Sequence, residues 1–262
     1  MIIDRFGSTY AGAYALPAAM LEDDWQSARP TLADRVSGRD GAFDYFGDDA
    51  NPIAALRVTR RSVITATTWA GVETALDALR AALNAATAEN KLWGLCRDGS
   101  KRWAWAKVES VRAPDRVGQI LHCPVDLAFG LREGLWYSET AHSEAKTATG
   151  AHVLANAGNV RTPVKVTVVP AVATLTAFAV SATGQGWAWA GSLAAGQSLI
   201  VDAAAYAVTR NGSDDYAALT LTEPSTFWLY LEPGNNTLTL TRTQGMGGTF
   251  TATVEWSDTW VM

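Results

Sequence analysis

Regular alternation of apolar and polar residues in the second half of the chain constrains the fold more than any other feature. Segment 163–169 places a valine at every second position, and segment 250–256 repeats the pattern with other apolar residues. On a β-strand, such alternation sends one set of side chains into a core and the other towards solvent. Turn signals separate further short apolar runs, and Pro233-Gly234 is typical of a type II turn. We therefore predict a β-sandwich of two sheets for this half.

The first half combines strands with one amphipathic helix. An apolar stripe at helical spacing predicts a helix over about 71–90. The stripe consists of Val72, Leu76, Leu79, Leu83 and Ala86. Asp98-Gly99 predicts a hairpin between two strands. Alternation over 121–129, interrupted by Pro124, predicts a strand at an edge or with a bulge.

A change in composition near the middle of the chain indicates two domains. Residues 1–150 contain 17 Lys/Arg and 19 Asp/Glu, whereas residues 151–262 contain 4 and 7. A small, polar segment, 138–154, lies where the composition changes. We predict a first domain over 1–137, a linker or exposed connecting strand over 138–154, and a sandwich over 155–262. Segment 53–67 is predicted to form a pair of strands around Arg60 and Arg61.

Charge and hydropathy argue against several classes of protein. The net charge of −5 argues against binding nucleic acid by neutralising phosphates. No apolar stretch is long enough for a spanning helix, and no secretory signal is visible at the N-terminus, so we expect no membrane insertion. Two cysteines are too few for a disulfide framework.

Candidate chemical groups do not form a recognisable catalytic motif. On a strand, His122 and Cys123 point to opposite faces and cannot share a metal ion, so we predict a surface histidine and a buried cysteine. His142 and His152 lie near the change in composition, and we assign a metal role to neither. Three pairs of adjacent carboxylates are typical of solvated loops: Asp23-Asp24, Asp48-Asp49 and Asp214-Asp215. We therefore predict no catalytic residue, no cofactor and no metal site, and expect that the protein is not an enzyme.

Two tryptophan pairs remain as candidate contact residues. Trp103 and Trp105 share one face of a predicted strand, and Trp187 and Trp189 share a face of another. Each pair is compatible with a core ladder, a protein interface or a platform for stacking sugars. The second pair is the candidate sugar platform if the protein binds carbohydrate.

Three segments of the second half resemble the distal tail (Dit) family of phages with long, non-contractile tails. They are the Asn/Gly-rich turn and proline at 156–163, the apolar-apolar-Asp strand at 199–202, and the aromatic, Pro-Gly and Asn-rich segment at 227–240. In the first half, Gly38-Arg39-Asp40-Gly41 resembles the segment that precedes the family's first hairpin. The order of these features carries the resemblance. Gly186-Trp187-Ala188-Trp189 has no assigned role in the family.

The resemblance implies a mainly β protein of two domains. The N-terminal domain would be a β-barrel-like, ring-forming domain with one α-helix, and the C-terminal domain a galectin-like β-sandwich. The implied function is that of a hexameric adaptor at the virion's tail tip, assembled in the host cytoplasm. It would join the tail tube protein to the tip hub and its tail-associated lysin or fibres, with a channel through which DNA passes.

We assign candidate residues to this function. Trp103, Trp105, Arg60 and Arg61 are candidates for the interface between copies. The carboxylates of Asp23, Asp24, Asp48 and Asp49 are candidates for lining the channel, because an acidic lumen would not retain DNA.

The alternative is a carbohydrate-binding sandwich for attachment to the host surface, with Trp187 and Trp189 as its platform. A small hydrolase and a capsid or tail-tube protein are further alternatives.

Overall fold

The computed structural model divides the chain into two compact units. It describes residues 2–19, 24–26, 33–34, 43–44, 57–84, 89–113, 121–132, 134–221, 228–244 and 248–261. Residues 1–139 together with 261–262 form the first unit, and residues 140–260 form the second. The division thus follows Glu139, two residues after the predicted end of the first domain.

The first unit is one antiparallel sheet with a helix. Its strands are β1 (Ile2–Phe6), β2 (Tyr14–Ala15), β3 (Ala18–Ala19), β4 (Asp24–Gln26), β5 (Ala33–Asp34), β6 (Phe43–Asp44), β7 (Arg57–Thr65), β8 (Asn90–Leu95), β9 (Lys101–Arg112), β10 (His122–Leu131) and β11 (Leu135–Ser138). The main path runs β2-β1-β8-β9-β10-β7-β3, with β4 on β7 and β11 on β9; β5 and β6 pair separately. This path does not close into a barrel within the described residues.

The helix α1 spans Trp69–Asn84. Thr68 caps it, because its Oγ1 accepts a hydrogen bond from the backbone N–H of Gly71 at 3.1 Å. The apolar stripe is buried as predicted, at Val72, Leu76, Leu79 and Leu83. The predicted end near residue 90 is wrong, since Asn90 already begins β8.

Segment 57–65 forms the single strand β7 rather than the predicted pair of strands. Its alternation brings Arg60 onto the buried face, where only 2% of the residue is exposed. The Arg60 guanidinium donates to the backbone oxygen of Pro17 at 2.7 Å and to Ser62 Oγ at 3.0 Å. Apolar period-two alternation does not reveal this strand, because the buried positions include an arginine and a serine.

The hairpin and the strand after it follow the sequence. Gly99 has a φ of +82°, the left-handed conformation that a tight turn requires and that glycine adopts without steric cost. In β10, Pro124 pairs with Val63 of β7, whereas pairing with β9 begins only at Asp126. Pro124 therefore lies beyond the registered pairs with β9, where its missing N–H removes no bond of that ladder.

Residues 142–261 form the remaining strands. They are β12 (His142–Lys146), β13 (Gly150–Asn156), β14 (Thr162–Pro163), β15 (Lys165–Pro170), β16 (Leu175–Ala182), β17 (Gln185–Leu193), β18 (Leu199–Asp202), β19 (Ala207–Arg210), β20 (Ser213–Asp214), β21 (Leu219–Leu221), β22 (Tyr230–Leu231), β23 (Gly234–Gln244), β24 (Phe250–Trp256) and β25 (Thr259–Val261). A short 3₁₀ helix covers Tyr216–Ala218. β25 reaches the boundary between the units.

Two antiparallel sheets of the second unit share one core. One has the order β12-β24-β15-β18-β19-β20 and the other the order β13-β23-β16-β17-β21. Alternate residues of both sheets, such as Val166 and Val254 from one and Phe178 and Leu240 from the other, belong to one buried apolar cluster. The predicted fold class, mainly β with one helix and a C-terminal sandwich, is confirmed.

Segment 138–154 consists mainly of strands, which agrees with the predicted exposed strand and not with the alternative of a linker. β12 forms an edge of one sheet and β13 an edge of the other, with only residues 147–149 between them. Small polar residues suit a half-exposed edge strand as well as a linker, so composition did not distinguish the two.

Within the described residues, α1 is the only α-helix, and no helix is both long and apolar enough to cross a bilayer.

Candidate interaction surfaces

The Asn/Gly-rich turn at 156–160 is anchored by one buried asparagine. Asn156 is 1% exposed, and its Nδ2 donates to the backbone oxygens of Val160 at 2.9 Å and Leu231 at 3.1 Å. Its Oδ1 accepts the N–H of Gly158 at 2.9 Å. These bonds satisfy a polar side chain that would otherwise be costly to bury. The turn is therefore structural.

Asp258, between β24 and β25, makes further contacts with this turn. Asp258, 7% exposed, accepts the N–H of Ala157 at 2.9 Å through Oδ1. Its Oδ2 lies 2.9 Å from Nε2 of His142, whose ring stacks on Trp256 with centroids 4.9 Å apart. His142 thus has an acidic partner 116 residues away, which no local pattern indicates.

The tryptophan pair of β17 lies in the core. Trp187 is 1% and Trp189 0% exposed, and Trp189 Nε1 donates to Asp215 Oδ2 at 2.8 Å. The hypothesis that these two residues form a sugar platform is therefore wrong, because no sugar can reach their rings. Their neighbours Ala188 and Ala190 take the exposed face of the strand.

The tryptophan pair of β9 belongs to a larger set of rings on the sheet of the first unit. We call this set the aromatic face: Tyr10, Trp93, Trp103, Trp105 and Tyr137. Trp103 is its centre, stacked on Tyr137 with ring centroids 4.8 Å apart and edge-to-face with Trp105 at 5.4 Å. Trp93 is 3% exposed, whereas Trp103, Trp105 and Tyr137 are half-buried. The exposed parts of these three half-buried rings form an apolar surface that a partner can contact, while the core of the first unit stays covered.

Cations lie over the rings of the aromatic face. Lys91 Nζ is 3.9 Å from the ring centroid of Trp103, and Lys101 Nζ is 4.3 Å from that of Tyr10. Burial lowers the pKa of the Lys91 amine from its usual value. The guanidinium carbon of Arg132 lies 5.7 Å from the centroid of Trp105. Aromatic side chains and arginine are enriched in protein interfaces.

Tyr10 connects the aromatic face to β1 and is expected to make stability depend on pH. Its hydroxyl donates to Asp4 Oδ2 at 2.5 Å. This bond to Asp4, followed by burial and repulsion from the same carboxylate, raises the pKa of Tyr10 above 10.0. A raised pKa means that the folded protein retains the phenolic proton more strongly than the unfolded chain. The stabilisation of the folded protein by the Tyr10–Asp4 hydrogen bond is therefore complete below pH 10. It is lost as the pH rises through the raised pKa of Tyr10.

We predict that Tyr10→Phe lowers the free energy of unfolding by about 1 kcal/mol at neutral pH, since it removes one partly exposed hydrogen bond. The difference from wild type should shrink above pH 10. Urea unfolding of both proteins between pH 7 and pH 11 measures it. A constant difference over that range would contradict a role for the Tyr10 proton.

The two arginines proposed for the interface differ in accessibility. Arg60 is buried and anchors Pro17, so its assignment to an exposed interface is wrong. The side chain of Arg61 is 65% exposed and pairs with Asp126 across the neighbouring strand at 3.6 Å. Strand alternation explains the contrast, because adjacent residues lie on opposite faces. Arg61 remains available to a partner.

The remaining candidates are the histidine–cysteine pair and the pairs of adjacent carboxylates. His122 is exposed and Cys123 buried, as predicted, and burial raises the pKa of the Cys123 thiol. Asp215 binds Trp189 and Arg210, whereas Asp214 is exposed. Asp24 lies in β4, without a described side chain, and Asp23, Asp48 and Asp49 lie outside the described residues. No group of three potential metal ligands occurs in the described part of the chain.

Sequence reasoning missed several members of these surfaces. Trp93 and Tyr137 join Trp103 through strand pairing, in which both lie opposite it. Tyr10 contacts the ring of Trp93 from the turn between β1 and β2. The hairpin predicted at Asp98-Gly99 could have placed Trp93 opposite Trp103, because a tight turn fixes the register of its two strands. No local signal indicated Tyr137.

Comparison with known proteins supports the resemblance found in the sequence. Residues 157–260 match the family described as siphovirus-type tail component, C-terminal domain. A search of curated proteins finds no significant match. Among solved structures, the Dit protein (gp 19.1) of phage SPP1, described as a paradigm of the hub adsorption apparatus in phages that infect Gram-positive bacteria, has a TM-score of 0.62 and 13% identity. The match covers 92% of this chain and 90% of that chain.

Two structures of the phage P2 baseplate in its activated conformation, with Ca and with Sr, are more distant. They have TM-scores of 0.42 and 0.41 and identities of 9% and 8%, and they cover 97% and 96% of this chain and 98% and 97% of theirs. The resemblance to the Dit family is confirmed. Residues 157–260 are thus similar to the C-terminal domain of siphovirus-type tail components, and the chain as a whole has the fold of the SPP1 Dit protein.

Proposed function

We propose that this protein is the distal tail adaptor of a siphovirus, forming a ring of six copies at the tail tip. The match of residues 157–260 to a tail-component domain carries the proposal. In this proposal the ring joins the tail tube protein to the tip hub and its lysin or fibres, and it assembles in the host cytoplasm. The role is structural, and DNA is in transit only.

The aromatic face supports a contact between copies. A closed ring needs heterologous contacts, in which one surface of each copy binds a different surface of the next. Trp103 and Trp105 present half-buried rings on a strand paired along its length, with Lys91 and Arg132 above them. Rigid aromatic and arginine side chains are the usual energetic centres of such contacts. We assign Trp103, Trp105 and Arg61 to this interface.

Acidic residues are proposed for the channel. Asp23, Asp24, Asp48 and Asp49 lie in the first unit's part of the sequence. Carboxylates in the lumen would repel the phosphates of passing DNA and prevent it from binding there. A structure of the assembled ring with both aspartate pairs on the outer rim would contradict this assignment.

Light scattering and negative-stain imaging test the ring. We expect particles whose mass is six times, or for two stacked rings twelve times, that of the 27.9 kDa chain, with a central hole. In the same experiment, Trp105→Ala should weaken association at least tenfold, about 1.4 kcal/mol or more. Trp69→Ala is the matched control, since Trp69 is 36% exposed at the start of α1 and outside the aromatic face.

Arg61→Ala separates assembly from folding. Loss of its exposed pair with Asp126 should change the free energy of unfolding by less than about 1 kcal/mol. A weaker ring with unchanged unfolding supports the interface. Rings of Trp105→Ala and Arg61→Ala that are as stable as wild type would contradict the assignment. A wild-type monomer that also fails to join tail tips would contradict the adaptor.

A further inference from the structure

A cluster of four aromatic residues lies at the edge of the second unit's core, where Trp228 belongs to the buried apolar cluster and Tyr230 packs against it. We call it the tyrosine cluster: Tyr206, Tyr216, Trp228 and Tyr230. Tyr206 is 62% and Tyr216 49% exposed, whereas Trp228 is only 6% exposed. The cluster therefore consists of two accessible rings against a covered tryptophan.

Ring contacts hold the cluster together. The centroid of Trp228 lies 5.7 Å from that of Tyr206, at 85°, and 5.9 Å from that of Tyr216, at 35°. The hydroxyls of Tyr206 and Tyr230 are 3.3 Å apart. The guanidinium carbon of Arg161 lies 5.0 Å from the ring centroid of Tyr230. Flat apolar surfaces and hydroxyl groups thus meet at one place.

Three separate segments position these rings before any ligand arrives. Tyr206 ends the turn after β18, where Asp202 Oδ1 accepts the N–H groups of Ala204 and Ala205 at 2.9 and 3.1 Å. Tyr216 lies in the 3₁₀ helix, Trp228 precedes β22, and the Tyr230 N–H donates to Gln185 Oε1 at 2.8 Å. A preorganised site loses little side-chain entropy on binding.

The backbone at Tyr206 is unfavourable for a tyrosine. Its φ is +51°, in the left-handed region that bulky residues seldom occupy and that glycine adopts without steric cost. The neighbouring turn residues Ala204 and Ala205 are small and exposed. Strained conformations of this kind are concentrated at binding sites, where the side chain rather than the turn is needed.

The accessible area favours a small ligand over a protein. Roughly one aromatic side chain's worth of surface, on the order of 200 Å², is exposed on Tyr206 and Tyr216 together. A stable protein contact needs about 800 Å² from each partner. Small-ligand sites instead combine aromatic surfaces with a few polar groups that fix orientation. One or two pyranose rings match this area, since their C–H faces are apolar and their rims carry hydroxyls.

We propose that the tyrosine cluster is a binding site for a saccharide, in which Tyr206 and Tyr216 stack against sugar rings and the Tyr206 and Tyr230 hydroxyls bond to sugar hydroxyls. This site differs from the buried Trp187 and Trp189 and does not depend on the adaptor function. Trp228 positions the two tyrosines from below.

Saturation-transfer NMR and calorimetry on the full chain test the site with maltotriose, cellotriose, chitotriose and galactose. We expect at least one of these probes to bind with a millimolar dissociation constant. Tyr206→Ala and Tyr216→Ala should each weaken binding at least tenfold, and Tyr206→Phe, which retains the ring, should weaken it only a few-fold. Val172→Ala is the matched control, since Val172 is 71% exposed on the same unit and should leave binding unchanged.

Tyr206→Gly separates the ring from the backbone. Glycine relieves the left-handed strain, so this variant should fold at least as stably as wild type and yet lose saccharide binding. Binding that survives in Tyr206→Ala and Tyr206→Gly would overturn the proposal. Absence of binding by all four probes would also overturn it, even if Tyr206→Ala proved to weaken contact with a tail protein.

Discussion

Gly158→Ala is expected to unfold the second unit or to destabilise it by about 3 kcal/mol or more. A Cβ at position 158 would lie 2.0 Å from the backbone oxygen of Thr259 and 2.6 Å from its nitrogen. Both neighbours are backbone atoms, which cannot rotate away as a side chain can. Movement of that oxygen would also disturb the bonds it accepts from the N–H groups of Asn159 and Val160, at 3.1 and 3.4 Å.

Urea unfolding followed by circular dichroism measures this effect, and hydrogen exchange locates it. Exchange should accelerate in peptides from 157–260 and remain unchanged in peptides from 57–112. Gly196→Ala is the matched control, because its φ is +79° and its Cβ would meet nothing within 4 Å. That variant should lose only about 1–2 kcal/mol through backbone strain. Equal losses in the two variants would contradict the steric explanation.

Trp189→Ala is expected to cost about 3–5 kcal/mol of unfolding free energy, the usual effect of removing a buried tryptophan. Trp189 is 0% exposed, and its indole N–H donates to Asp215, which also pairs with Arg210 Nε at 3.3 Å. Truncation therefore leaves both a cavity and a carboxylate without its indole donor.

Trp189→Phe divides the two effects, since phenylalanine retains most of the apolar volume and removes only the N–H donor. It should cost less than the alanine variant. Urea unfolding measures both variants, and saccharide binding at the tyrosine cluster provides a second readout. A fully stable Trp189→Ala protein would contradict its place in the core.

Local patterns predicted those parts of the fold that local geometry determines. The helix stripe from Val72 to Leu83 repeats with the helical period, and Gly99 supplies the backbone conformation that its turn requires. The predicted end of the helix, near residue 90, was wrong because the alanine-rich composition continues beyond Asn84. Asn90 instead pairs with Ala106 of β9 and begins a strand.

The candidate surfaces were harder to predict, because distant pairing creates them. Arg60 and Arg61 are adjacent in sequence and similar in chemistry, yet strand alternation buries the first and exposes the second. Trp187 and Trp189 have the spacing of either a platform or a core ladder, and only the second sheet that covers them decides between these. Tyr206 and Tyr216 meet through Trp228, more than ten residues from either, so no spacing rule brings them together.

The pairing of β12 with β24 brings the start of the second unit close to the end of its last sandwich strand. The chain enters the unit at Thr140 and leaves it at Trp260. The first strand of the unit, β12, pairs directly with β24, the strand before β25, with His142 opposite Trp256. Domains whose ends lie side by side can be inserted into a host fold without separating the strands of that host. A sandwich of different surface chemistry could therefore replace this one from the start of β12 to the end of β24, provided that β25 is retained.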